Sequence, residues 1–235
     1  MNKDLISTIE NILVDISAKK TTATKVSDLS IMKSDILYEL YVSLLVSEAV
    51  RRIKEVSDLH WVNTSSGEIN IRKGPGVIYS NKNFSYLSFK YNKKKSYEIH
   101  LDVKYEGKTI LHELDISILS EANASNYRNT KQNPKKDNLI LGIECKQYSA
   151  NLGIALGRQF VGLIDDMQKN STFFAFTSNN YSKSIDEYYS LPNRPVLFGN
   201  LTADSSVTFT KIEEEFISYS KKQLEKKLKY LSLKS

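Results

Sequence analysis

Three stretches of the chain carry apolar residues at the spacing of an α-helix, where positions three and four apart share a face. They cover residues 3–18, 35–56 and 211–231. The first and last have one apolar stripe each, which predicts a packing helix at 3–18 and another at 211–231 that covers the body or a second copy. The middle stretch is apolar on most sides, which predicts a buried helix, interrupted only by Glu39 and Glu48.

Alternation of apolar and polar residues predicts a β-hairpin in the centre of the chain. Residues 96–105 place Tyr97, Ile99, Leu101 and Val103 on one side, and Glu106-Gly107-Lys108 then reverses the chain into residues 109–119. Shorter apolar runs predict further strands at 139–145, 172–177 and 195–199, with helices at 153–167 and 184–191.

The remaining segments are rich in turn residues. Gly67 and Gly74-Pro75-Gly76 mark turns between short β-like runs at 69–72, 77–80 and 86–91. Residues 120–138 are polar and basic, and we interpret them as a long connection that grips a substrate or is disordered.

Together these elements predict an α/β protein with a mixed central sheet flanked by helices. We divide the chain into an N-terminal helix and connector (1–33), a core (34–210) and a C-terminal packing helix (211–235).

Composition limits the classes of function. The chain has 235 residues, of which 40% are hydrophobic, with a net charge of +6 and an isoelectric point near 9.1. The positive balance favours an anionic partner. A single cysteine, Cys145, excludes an internal disulfide and a thiolate zinc cluster. The sequence has no apolar run of membrane-spanning length and no signal-peptide pattern. We therefore expect a cytoplasmic protein that does not associate with membranes.

Acidic residues and a lysine fall on the two central strands in a pattern that favours metal chemistry. Side chains two apart on a strand share a face, so Glu144 lies with Lys146, and Glu113 with Asp115. Pairing of the strands would bring Asp115 beside Glu144. Clustered carboxylates bind Mg²⁺ or Mn²⁺, and a neighbouring lysine can orient or help deprotonate water, or stabilise negative charge. A solvent-exposed strand face or a charged edge strand would have the same pattern of residues.

The residues that carry this chemistry resemble the PD-(D/E)XK nuclease superfamily. Asp115 matches its first acidic residue, and Glu144-Cys145-Lys146 matches its (D/E)-X-K element. Glu39 matches an acidic residue on the first core helix, and Gln159 a polar residue on the helix after the motif. The chain departs from the pattern at Asp115, which follows Glu-Leu and not proline.

The resemblance implies a restriction-endonuclease-like core and a Mg²⁺-dependent endonuclease, with Mn²⁺ able to substitute. It implies that nucleic acid, with DNA favoured, is the partner, and it points loosely to bacterial restriction or defence. Asp115, Glu144, Glu39 and the Cys145 carbonyl would hold the metal. Lys146 would be the catalytic lysine, and Gln159 would position water or phosphate.

Basic residues near these elements are candidates for contacts with the nucleic-acid backbone. They are Arg72, Lys73, Arg128, Lys131, Lys135, Lys136 and Arg158. Two other interpretations stay open: a nucleic-acid-binding protein of the same fold without catalysis, and a structural ion-pair network in a protein of another kind. A homodimer or a partner protein also stays open.

Overall fold

A computed structural model describes residues 2–17, 25–26, 29–64, 67–150, 152–167 and 172–233. Six helices occur in this part of the chain: α1 (Asn2–Ser17), α2 (Ser34–Arg51), α3 (Glu121–Thr130), α4 (Ile154–Met167), α5 (Lys183–Tyr189) and α6 (Lys211–Leu233). The strands are β1 (Lys25–Val26), β2 (Val56–Val62), β3 (Glu68–Ile69), β4 (Tyr86–Tyr91), β5 (Lys95–Glu106), β6 (Leu111–Ser120), β7 (Leu141–Lys146), β8 (Phe173–Ser178) and β9 (Val196–Phe198). Most of the predicted connector at 19–33 lies outside the described residues.

A mixed seven-stranded sheet forms the centre of the molecule, in the order β2-β4-β5-β6-β7-β8-β9. In this sheet β2, β4, β5, β6 and β7 pair antiparallel, whereas β7, β8 and β9 run parallel to one another. The two parallel connections contain α4 and α5, as crossover units require. The predicted α/β class with a mixed central sheet is therefore confirmed.

Helices cover both faces of this sheet and create two apolar layers. The first layer joins α1, α2 and α6 to one face, and the second joins α3, α4 and α5 to the other. Helix α2 is enclosed by the sheet, α1 and α6, which explains why it is apolar on most sides. It ends at Arg51 and not at the predicted residue 56, because Val56 already begins strand β2.

The predicted central hairpin is present as β5 and β6, but its alternation is broken in the middle. Asp102 has a φ of 51°, and the ladder passes from the Leu101–Ile116 pair to the Val103–Leu114 pair without a regular pair between them. As a result Leu101 packs in the first layer and Val103 in the second. The prediction that both lie on one side was wrong, because the left-handed backbone of Asp102 turns the strand over from one face to the other without inserting a residue.

The polar segment 120–138, which we interpreted as a long loop, contains helix α3 and a short 3₁₀ turn at Lys136–Asn138. The Ser120 hydroxyl caps the helix by accepting a hydrogen bond from the Asn123 N–H at 3.3 Å. Ala124 and Tyr127 are buried against the sheet. The loop prediction was wrong because two buried residues and one cap are enough to fix a short helix of otherwise polar sequence.

Polar contacts tie α6 to α2 at the edge of the apolar layer. The Tyr41 hydroxyl donates a hydrogen bond to buried Glu213 at 2.5 Å. Arg52, just after α2, binds both carboxylate oxygens of Glu214, and it also contacts Glu48. No helix among the described residues is long and apolar enough to cross a lipid bilayer.

Candidate functional site

Three carboxyl groups from separate elements converge near the middle of the sheet. Glu39 comes from α2, Asp102 from β5 and Asp115 from β6, and one oxygen of each lies within 4.8 Å of the others. We refer to these three residues as the acid cluster. Asp102 and Asp115 are buried, with 2% and 7% of their surfaces exposed, and Glu39 is partly buried. Buried carboxyl groups at this separation need compensation by protons or by a cation.

The left-handed backbone of Asp102 on β5 turns its side chain toward the acid cluster. The Gly74 N–H donates a hydrogen bond to Oδ2 of Asp102 at 3.1 Å, and the Gly76 N–H donates to the Asp102 carbonyl at 2.9 Å. Gly74 has a φ of +145°, which favours glycine, and a Cβ at Gly76 would lie 2.2 Å from Nη1 of Arg72. The predicted Gly-Pro-Gly turn therefore supports the acid cluster through its backbone.

Strand β7 brings Glu144 and Lys146 to the same place, as the alternation predicted. Lys146 forms a short ion pair with Glu144, and its Nζ lies 3.9 Å from Oδ2 of Asp115. The Cys145 N–H donates a hydrogen bond of 2.6 Å to that same Asp115 oxygen. The sequence thus placed Asp115, Glu144 and Lys146 together correctly, and Glu39 reaches them from the buried helix.

Repulsion and burial shift the proton equilibria of these carboxyl groups upward. Burial, followed by the charges of Asp102 and Asp115, raises the pKa of Glu39 to about 10. Burial also raises the pKa of Asp102 to about 6, although hydrogen bonds from Gly74 and Glu39 act in the opposite direction. The pKa of Asp115 lies well above its ordinary value for reasons of burial and the nearby Glu144 charge.

Glu113 and Lys146 also contribute to the charge balance around the acid cluster. Burial raises the pKa of Glu113 to about 7, and the charges of Asp102 and Glu144 add to this effect. Burial lowers the pKa of Lys146, but the Asp115 and Glu144 charges outweigh it, so the net shift is upward and the lysine stays protonated. Carboxyl groups therefore outnumber the cations that act on them.

These residues fit a hard divalent cation. The donor set consists of carboxylate oxygens, which Mg²⁺ and Mn²⁺ prefer. A cation among Glu39, Asp102 and Asp115 would replace the protons that the raised pKa values indicate. Glu144 lies beside the acid cluster with its carboxylate held by Lys146. The Cys145 side chain is buried, and burial raises the pKa of its thiol, which argues against a nucleophile.

The other sequence candidates lie outside this constellation. Gln159 is exposed on α4, and no described hydrogen bond links it to the acid cluster. Arg72 is buried and donates to the Val77 carbonyl at 2.7 Å. Arg128 binds both oxygens of buried Glu98 at 2.7 Å each. These two arginines therefore have partners inside the protein.

The lysines and Arg158 of the predicted nucleic-acid surface are distributed over several loops and helices. Four of these residues are exposed: Lys73, Lys131, Lys135 and Arg158. Lys136 is partly buried and lies 3.6 Å from Asp137. Their role in binding stays a prediction.

Sequence reasoning missed Asp102. The signal was present in the register of the hairpin: if Glu106 faces Leu111, counting back along both arms places Asp102 opposite Asp115. In comparisons with known proteins, no family model, no curated protein and no solved structure matched the chain.

Proposed function

We propose that this chain is a metal-dependent nuclease that hydrolyses phosphodiester bonds in nucleic acid, with DNA as the favoured substrate. The observation that carries the proposal is the convergence of Glu39, Asp102 and Asp115 within 4.8 Å beside Lys146. Three hard oxygen donors, one from a helix and two from adjacent strands, with one ammonium group beside them can support metal-assisted cleavage of a phosphodiester.

The order of the elements supports the restriction-endonuclease-like core that the sequence resemblance implies. Helix α2 carries Glu39, the antiparallel strands β5, β6 and β7 carry Asp102, Asp115 and the Glu144–Lys146 pair, and α4 leads to the parallel strand β8. The acidic excess favours a metal site over a purely structural ion-pair network, because such a network would balance its own charges.

Each residue has a role that follows from its position. Glu39, Asp102 and Asp115 would hold Mg²⁺ or Mn²⁺, which when bound can polarise a phosphodiester and acidify a water molecule. Lys146 is protonated and fixed by Glu144, so it serves as a positive charge for the developing phosphorane oxygens and not as a base. The Cys145 N–H orients Asp115.

The test is cleavage of supercoiled plasmid and of single-stranded DNA with Mg²⁺, Mn²⁺ or EDTA. Wild type should cut in either metal and not in EDTA, whereas Lys146→Ala and Asp102→Asn should lose the activity by about a hundredfold or more. Lys183→Ala and Asp186→Asn are matched controls, since both residues are exposed on α5.

Cleavage that survives both Lys146→Ala and Asp102→Asn would contradict the assigned roles. Metal-independent, salt-sensitive binding without cleavage of any substrate would favour the catalytically silent nucleic-acid-binding protein. Isothermal titration gives an independent check, because Asp102→Asn should weaken Mn²⁺ binding and Asp186→Asn should not.

A further inference from the structure

A second polar site lies beside the acid cluster. It is a cavity of about 150 Å³ between the segment that precedes β4, the strands β4 and β5, and helix α3. Three of its lining residues, Arg72, Lys82 and Arg128, are cationic, and Tyr86 and His100 also line it. None of the described lining residues is acidic. We call this space the basic cavity.

Arg72 is the strongest reason to expect an anion there. Only 7% of its surface is exposed, and its guanidinium stacks on Phe84 at 4.6 Å. Among the described residues it donates one hydrogen bond, from Nη2 to the Val77 carbonyl. A guanidinium has five N–H donors, so Arg72 has further donors for an acceptor. An anion in the basic cavity would accept the remaining hydrogen bonds.

The other cations of the basic cavity differ in how firmly they are held. Arg128 is fixed by its two hydrogen bonds to Glu98 and by its position over the Tyr86 ring, at 5.3 Å. Lys82 is exposed at the mouth of the cavity, where its ammonium group can move toward a ligand. Fixed guanidinium groups and a mobile lysine are the typical means of binding a phosphate group.

The size of the basic cavity selects a small anion. Its volume of about 150 Å³ falls below the roughly 300–1,000 Å³ of pockets that enclose drug-sized ligands. A single phosphoryl group fits this volume, whereas a complete nucleoside would extend out of it.

Position links the basic cavity to the acid cluster. His100 lines the cavity and Asp102 belongs to the cluster, and they lie two residues apart on β5, a distance of about 6–7 Å along a strand. The Arg72 guanidinium also abuts Gly76, whose N–H binds the Asp102 carbonyl. Arg72 connects the two sites, because it lines the basic cavity and its charge acts on Asp102, so a nucleic-acid strand that reaches the acid cluster passes close to the cavity.

We propose that the basic cavity binds a phosphoryl group of the substrate strand adjacent to the phosphodiester that is cut. This inference rests on the proposed nuclease function for its substrate, but the binding itself needs no metal. The phosphoryl group can be a monoester at the end of a strand or a diester within it, and the two sources are distinguished by experiment.

The experiment is isothermal titration of the full chain with inorganic phosphate in EDTA, at ionic strength matched with chloride. Wild type should bind phosphate, and Arg72→Gln should weaken that binding by about tenfold or more, since it removes a charged donor. Lys82→Gln should weaken it by a smaller factor. Arg194→Gln is the matched control, because Arg194 also stacks on an aromatic ring, Tyr188, at 4.6 Å, and does not line the cavity.

Circular dichroism verifies that Arg72→Gln is folded; if it is not, the exposed Lys82→Gln carries the test. A second arm compares short oligonucleotides with a 5′-phosphate, a 3′-phosphate or hydroxyl groups at both ends. Tighter binding of one phosphorylated end, lost in the variants, identifies a monoester, and equal binding of all three, reduced in the variants, identifies a diester.

Two results would overturn the inference: phosphate that binds no better than chloride, or equal losses in Arg72→Gln and Arg194→Gln. Either result leaves plasmid cleavage untouched. If the protein binds phosphate through Arg72 but cleaves no substrate, the proposed nuclease function is refuted and the proposed phosphate binding in the basic cavity stands.

Discussion

Replacing Glu39 by glutamine should stabilise the metal-free protein at neutral pH. The glutamine has the same shape and can still donate a hydrogen bond to Asp102. A carboxyl group whose pKa is raised on folding holds its proton more tightly in the folded state. Its contribution to stability is therefore fully present below the ordinary pKa and is lost as the pH rises toward the folded value.

The size of the effect follows from the pKa window of Glu39. Its ordinary value is 4.5 and its folded value about 10. At about pH 7.5 the unfolded chain has lost this proton and the folded chain has kept it, across about three pH units. At about 1.4 kcal/mol per unit, the wild-type protein loses about 4 kcal/mol between pH 4.5 and 7.5, and Glu39→Gln avoids this loss.

Urea denaturation at several pH values between about 5 and 8 measures the prediction. The free energy of unfolding of wild type should fall more steeply with pH than that of Glu39→Gln, by up to one proton, or about 1.4 kcal/mol per unit. The control is Glu187→Gln, because Glu187 is 66% exposed. The reasoning would be refuted if the free energy of unfolding fell equally steeply with pH in wild type and Glu39→Gln, or if the variant were less stable than wild type at pH 7.5. Mn²⁺ should narrow the gap by stabilising wild type more than the variant.

Two further predictions concern buried contacts. Arg128→Met should lower the free energy of unfolding, measured in urea, by about 3–5 kcal/mol, because it leaves the Glu98 carboxylate buried with its main partner removed. The double variant with Glu98→Gln should recover part of that loss. No recovery would argue against the importance of this ion pair. Phe216→Ala should cost about 3–5 kcal/mol, since Phe216 is fully buried and packs on Phe198. Leu233→Ala is its control at 78% exposure, and equal losses would contradict the packing argument.

Much of the candidate site followed from strand periodicity. Alternation alone places Glu144 and Lys146 on one face, and two adjacent apolar strands bring Asp115 to them. The buried helix was predictable because an apolar segment of that length has no solvated side, and a glutamate within it must face a polar group. These inferences depend on local spacing, which the sequence states directly.

Asp102 and α3 were less accessible because both depend on tertiary contacts. The left-handed backbone at Asp102 is supported by hydrogen bonds from Gly74 and Gly76, which lie far away in sequence. A periodic pattern cannot show this left-handed residue, which then moves Val103 to the other layer. Helix α3 is similarly fixed by the burial of Tyr127 on the sheet. Burial of this kind depends on a surface that the segment does not itself contain.

The packing of α6 on α2 has a consequence for synthesis. Every residue of the acid cluster precedes residue 116, whereas the groups that cover α2 and bind Tyr41 and Arg52 lie in residues 211–233. At about 5–20 residues per second, the ribosome synthesises the acid cluster several seconds or more before it synthesises residues 211–233. During that interval the helix with Glu39 lacks one wall of its core. The acid cluster in the first half of this sequence is thus fully enclosed only after a much later segment emerges, which would delay any activity of the nascent chain until residues 211–233 have been made.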